Sequence, residues 1–337
     1  MGTGGGPANP AAGLTLAKDG NFYGTSSNGG ASGAGTFFRM TPTGELTVLS
    51  SFGGSTGASP HGELIEGPDG AFYGTTAEGG DGGYGTVFKV TSDGVFTVLH
   101  AFVGGVDGAH PAAPLLLAHD GSLYGTTETG GSGSCTFAGL PNGCGTVFRV
   151  TLSGEETVIH QFVGYPTDGG DPMGGLAQGR DGILYGTTTQ GGYTTPGNCG
   201  SGCGTIFSMT TTGEETILIA YGTPASEWYV SGWSPSGTLL ITPHDTLVGT
   251  TQNGGGGWGN VVEIAPCAIL RSLWQLGRHG TDQGCAERRP ANLRHCHLLT
   301  DLLGRHRFEY GVCDGHCDTV DLSSRSTIRA ATSAPSS

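Results

Sequence analysis

A single internal offset restricts the possible folds of this chain more than any other feature. Five prolines, Pro10, Pro60, Pro111, Pro172 and Pro235, each stand thirteen residues before the centre of one recurring motif. The motif reads Phe22-Tyr23-Gly24-Thr25, Phe72-Tyr73-Gly74-Thr75-Thr76, Leu123-Tyr124-Gly125-Thr126-Thr127, Leu184-Tyr185-Gly186-Thr187-Thr188 and, in degraded form, Leu247-Val248-Gly249-Thr250-Thr251. A fixed offset over copies of about 50 residues is the mark of a repeat architecture. Each unit must then bury its apolar face against its neighbours.

Within a copy the order of signals is constant. Asp-Gly precedes the Tyr motif at Asp19-Gly20, Asp69-Gly70, Asp120-Gly121 and Asp181-Gly182. Gly-Gly follows it, then Gly-Thr-x-Phe ending at Phe38, Phe88, Phe148 and Phe207, then a Gly turn, then a run such as Thr47-Val48-Leu49. Short runs rich in Thr, Val, Phe and Tyr between glycine turns read as strands. Asp-Gly between two such runs predicts a two-residue hairpin. Phe88 with Val90, like Phe148 with Val150, shares one face by period-two alternation. No segment of the repeat region holds a 3.6-residue period. Four short antiparallel strands per copy match one propeller blade. The expected fold is therefore all-β, a β-propeller-like array of about five four-stranded repeats, with an open β-solenoid as the alternative. The expected boundaries are 1–9 for a partial spacer, then 10–59, 60–110, 111–171, 172–234 and 235–266 (or to about 276) for the repeats, and 267–337 for a tail.

Composition separates the tail from the rest. Of 67 Gly, 61 precede residue 267; the same stretch carries 5 Lys+Arg against 21 Asp+Glu. The tail holds 9 Arg, 5 of the 9 Cys and His279, His295, His297, His306 and His316. Spacings such as Cys313-x3-Cys317 match no standard zinc finger. Codons for Val312–Asp318, read one base forward, permit an alternating Ser/Ala/Thr/Val run, so a frame change after Pro266 and a poorly ordered tail are the expectation. Residues 1–9 resemble the end of an inter-repeat spacer, which leads us to expect further repeats and a signal peptide upstream. The acidic repeat region argues against nucleic acid, whose phosphates need a basic partner surface. No apolar run of about 18 residues exists to cross a bilayer as a helix.

The ordered elements Asp-Gly-x-Leu-Tyr-Gly-Thr-Thr, Gly-Gly and Gly-Thr-Val-Phe resemble the GloVer tandem repeat of bacterial choice-of-anchor proteins, over roughly residues 10–266. The resemblance implies export and display, and supplies no catalytic residues. Cysteine usage points the same way. Copies three and four alone are lengthened between Gly-Gly and Gly-Thr-x-Phe, and those insertions hold Cys135 with Cys144 and Cys199 with Cys203. Paired Cys in glycine-rich loops read as disulfides of an oxidising compartment, with local pairing expected and cross-pairing open. The expected location is extracytoplasmic, secreted or at the cell surface.

Candidate ligand contacts are the repeated Tyr23, Tyr73, Tyr124 and Tyr185, and three of the four Trp, Trp228, Trp233 and Trp258, gathered in and just before copy five. Packing between blades competes as an explanation for the Tyr, and edge packing for the Trp. The Asp-Gly turns lack the spacing of a calcium loop. His61, His110 and His119 stand alone, and Glu155-Glu156 and Glu214-Glu215 read as solvated strand ends. No nucleophile elbow or phosphate loop is present. We expect no catalytic residues, no metal and no cofactor. The expected function is a non-enzymatic scaffold or binding module for a polysaccharide or a surface protein. The alternative is a propeller-type carbohydrate-binding or carbohydrate-active protein.

Overall fold

A computed structural model describes residues 5–135, 143–166, 168–192, 202–222, 232–253, 259–264, 297–300 and 306–309. The chain divides into two units, Met1–Val261 and Val262–Ser337. In the second unit an antiparallel pair joins His297–Thr300 to His306–Glu309. Most of the tail, including the expected last strand at 267–276, lies outside the described residues.

The first unit is an all-β, propeller-like array. Each of the first four copies folds as a four-stranded antiparallel meander in chain order. The first blade is Thr15–Leu16, Phe22–Ser26, Thr36–Met40 and Leu46–Ser51. The second is Ile65–Glu66, Phe72–Thr76, Thr86–Val90 and Phe96–Ala101. The third is Leu116–Leu117, Leu123–Thr127, Thr146–Val150 and Glu156–Gln161. The fourth is Ala177–Gln178, Leu184–Thr188, Thr205–Met209 and Glu215–Ala220. In the fifth copy Leu247–Asn253 pairs with both Leu240–Ile241 and Trp233–Pro235.

The motif follows from what its residues touch. Gly74 stands opposite Phe88 in the ladder, and a β-carbon on Gly74 would lie 2.8 Å from the Phe88 ring and 2.9 Å from Leu64. The glycine of Tyr-Gly-Thr thus makes room for the phenylalanine of Gly-Thr-x-Phe. The glycine that opens the latter motif is held by another contact. Gly85 has φ +99°, and a β-carbon there would meet Pro111 of the next copy at 2.7 Å. That contact accounts for the prolines recurring in register with the glycines.

The Asp-Gly turn differs from expectation. Leu16 pairs with Phe22, Ala17 N–H donates to Asn21 O and Gly20 N–H to Ala17 O. The connection is a three-residue loop with Gly20 in the left-handed region, the type I turn plus glycine bulge rather than the two-residue hairpin. The Asp19 carboxylate accepts the Asn21 N–H, which favours the wider turn.

Blades meet through repeated contacts. Thr75, Thr126 and Thr187 hydroxyls donate to Ala113, Gly174 and Gly237 carbonyls of the following copy at 3.1, 3.2 and 3.1 Å. Phe52, Phe102 and Phe162, just after each fourth strand, pack edge-on to Phe88, Phe148 and Phe207 of the next blade at 5.0, 5.1 and 5.4 Å. The spacer before each proline also joins the following blade, through Ala58 with Glu78, Ala109 with Thr129 and Gly169 with Gly191. Gly5–Ala8 pairs with Asn28–Gly30 in the same way.

Candidate functional site

The repeated tyrosines are buried, at 1%, 0%, 0% and 3% exposure for Tyr23, Tyr73, Tyr124 and Tyr185. Their place on the second strand turns the ring into the array and the hydroxyl back to the preceding turn. Tyr23, Tyr73 and Tyr124 each donate to the turn aspartate, Asp19, Asp69 or Asp120, at 2.9, 2.8 and 2.9 Å. The cross-strand partner of each of these Tyr is basic: Arg39, Lys89 or Arg149. Lys89 lies 2.6 Å from Asp69 and Arg149 lies 3.6 Å from Asp120. Burial alone would raise the Asp69 carboxyl; the Lys89 ammonium, the Tyr73 hydroxyl and the Ala71 amide outweigh it and hold it at about 2. Burial, then Asp120, pushes the Tyr124 hydroxyl up to about 12. Sequence reasoning missed the basic member, although a basic residue after Phe or Val-Phe in three copies was the available signal. The fourth copy has Ser208 there.

The insertions carry the disulfide chemistry. Cys135 and Cys144 are joined, with their Cα atoms 4.9 Å apart, and Cys144 is fully buried. Cys203 is disulfide-bonded; Cys199 lies outside the described residues. Trp233 is half-buried on an edge strand opposite Asn253, while Trp228 and Trp258 lie outside the described residues.

A second polar arrangement spans the blade interfaces and was not anticipated. His160 on the third blade's fourth strand, Asp168 in the spacer and Glu215 on the fourth blade's fourth strand bring one donor atom each within 4.8 Å of one another. His100, Asp107 and Glu156 repeat the arrangement one blade earlier. His160 Nε2 lies 3.6 Å from Asp168 and 3.5 Å from Glu215; His100 Nε2 lies 3.1 Å from Asp107. The aspartates are held by the spacer, Asp107 accepting Val103 N–H and Asp168 accepting Val163 and Gly169 N–H. Burial, then Asp168, raises the Glu215 carboxyl to about 9. Burial raises Glu156 to about 7 despite the nearby His100. Glu156 and Glu215 correct the reading of both acidic pairs as solvated strand ends. Adjacent strand residues face opposite ways, so Glu155 and Glu214 are exposed while the second acid of each pair turns inward. Histidine at one repeat position in two copies was the missed signal.

A search of functionally curated proteins found no match. Among solved structures the chain aligns with a candidate gluconolactonase at 14% identity and TM-score 0.44, over 76% of this chain and 78% of that one. It aligns with a luciferin-regenerating enzyme at 11% identity and TM-score 0.46, over 78% and 74%. A third alignment, to hydrazine synthase of Kuenenia stuttgartiensis, has 12% identity and TM-score 0.45, over 92% and 68%. The fold assignment rests on the chain's own sheets rather than on these alignments. A family model does match at the level of sequence, over residues 2–199, more than half of the chain and including the Tyr motifs and glycines whose contacts define the blades. This chain belongs to the Gloeobacter/Verrucomicrobia repeat family.

Proposed function

We propose that this chain is an exported, non-enzymatic repeat protein that acts as a surface scaffold or binding module, with a polysaccharide or a surface protein as partner. The observation that carries the reading is the Cys135–Cys144 disulfide. It pins one of the two insertions that interrupt an otherwise uniform array, and such bonds persist in oxidising compartments. The repeated Tyr-Asp pairs support a scaffold, because they are consumed in holding the turns to the sheets rather than converging on a reaction centre. Partner contact is assigned to the fifth copy, where Trp233 stands on an edge strand near Trp228 and Trp258 in sequence.

Cell fractionation of the native bacterium tests the export claim. The protein is expected in the envelope or medium with Cys135 and Cys144 oxidised. Recovery from the cytoplasm with both thiols open to alkylation would overturn it. Incubation with a panel of polysaccharides is expected to give retention that Trp233→Ala weakens, without new reducing ends. Release of reducing ends would establish the carbohydrate-active alternative instead.

A further inference from the structure

The two His/Asp/Glu sets have no counterpart at the interface between the first and second blades. The register places Ser50 where the later blades have His100 and His160. Thr56 stands where they have Asp107 and Asp168, taking over the spacer contact by accepting Gly53 N–H. Phe96 stands where they have Glu156 and Glu215. Phe96 fills its place with apolar contact, 4.6 Å from Phe52 and 5.6 Å from Phe88. The fold can therefore close this joint with Ser, Thr and Phe. Placing three ionisable groups there, twice, is not something that blade packing requires.

The polar atoms are also left incomplete. His160 Nε2 is buried, lies within ion-pair distance of two carboxylates, and makes a hydrogen bond to neither. Glu156 Oε1 and Glu215 Oε1 are buried without a hydrogen-bond partner. The His160, Asp168 and Glu215 side chains are only 17%, 9% and 12% exposed, so water does little to compensate them. Among the described residues no Lys or Arg pairs with either set. Buried acids left this way must either take up a proton or be completed by a cation.

We propose that His160, Asp168 and Glu215 bind a first-row divalent transition cation, with Zn2+ as the representative, and that His100, Asp107 and Glu156 form a second such site. Donors sharing one zinc ion at about 2.0–2.2 Å lie roughly 3–3.6 Å apart. The His160 separations of 3.5 and 3.6 Å meet that requirement with little movement. An imidazole with two carboxylates suits zinc better than calcium, which takes six to eight oxygens. The backbone amides on Asp107 and Asp168 fix the carboxylates as outer-layer groups do in metal sites. Three protein donors leave a position for solvent. Each ion would tie one blade, its spacer and the next blade into a single joint.

The full chain, stripped with chelator and titrated with Zn2+, tests this by calorimetry and bound-metal analysis. Thiolates are zinc ligands in general, so the informative quantity is the difference between proteins. The H100A/H160A variant is expected to bind about two equivalents fewer than the wild type, and each single variant about one fewer. Co2+ bound at these sites is expected to show visible d–d bands without a thiolate charge-transfer band, and the variant to lose them. The volume-conserving E156Q/E215Q pair provides a second test if the histidine changes disturb folding, its affinity falling at least tenfold. Zn2+ is also expected to protect His160 of the wild type from carbethoxylation, mapped by mass spectrometry. Equal zinc uptake by wild type and both double variants, or no protection of His160, would overturn the proposal.

Discussion

At the residue scale, two threonines of the same repeat position separate cleanly. Thr126 donates to Gly174 O of the next copy, whereas the Thr25 hydroxyl is buried without a partner. Thr→Val preserves shape and removes the hydroxyl. T126V is expected to lower stability by about 1 kcal/mol, and T25V to be neutral or stabilising. Urea melts of the two variants check this, and equal losses would mean that the interblade hydrogen bond is not what Thr126 contributes. The Asp69 group gives a pH dependence. Its folded pKa of about 2 lies below the ordinary carboxylate value, so its contribution is fully present above that ordinary value and is lost as pH falls toward about 2. D69N is expected to lower stability at pH 7 and to flatten this part of the acid limb, a comparison made by thermal melts at pH 2.5 and pH 7. Because the carboxylate is more than a third exposed, the pH 7 effect is expected to stay below about 1 kcal/mol. Tyr73 and Asp69 were legible as repeated letters. Lys89 was not, because a basic residue on a strand reads equally well as a solvated face.

At the scale of strands and loops, the glycines were legible as punctuation but their reason was not. A turn reading covers Gly20, with φ +82°, yet Gly74 lies mid-strand, where the Phe88 ring of the neighbouring strand takes the space. A single sequence does not reveal which cross-strand residue a glycine accommodates until the register is known. G74A is expected to cost about 1–3 kcal/mol by overpacking, measured as a shift of the denaturation midpoint with unchanged slope. The insertion in the third copy makes a comparable claim. Cys135 and Cys144 are separated by 9 residues, and removing the bond from so short a loop is expected to cost about 2–3 kcal/mol. If C135S/C144S melts as the wild type does under oxidising conditions, the bridge does not stabilise the blade. The turn itself was predicted one residue too short, since the Asp-Gly pair gives no count of the residues that its carboxylate will organise.

For the whole molecule, the all-β blade array was legible because the repeat imposes the same demand five times and strand pairing within one copy carries most of it. What a one-dimensional reading could not supply was which groups meet across copies. His160 and Glu215 are 55 residues apart, and each taken alone is unremarkable. They meet only because strand four of one blade faces strand four of the next. Nearest-neighbour coupling of this kind implies that damage spreads by one joint at a time. Phe162→Ala, at the joint with Phe207, is expected to cost about 3–5 kcal/mol and to loosen the third and fourth blades first. Hydrogen exchange resolved by blade checks this, and uniform loss of protection through the first unit would refute it.

The pairing of each pre-proline spacer with the blade that follows has a consequence for moving copies between proteins. Ala58, Ala109 and Gly169 hydrogen-bond into the copy downstream of them, so the stretch that recurs in the sequence is out of phase with the stretch that holds together as a body. A module excised at its prolines would arrive at its new site lacking its upstream brace, with an orphaned one at its far end. Recombination is better tolerated at solvent-facing loops such as Thr41–Glu45, where one cut leaves every brace with the sheet that it serves.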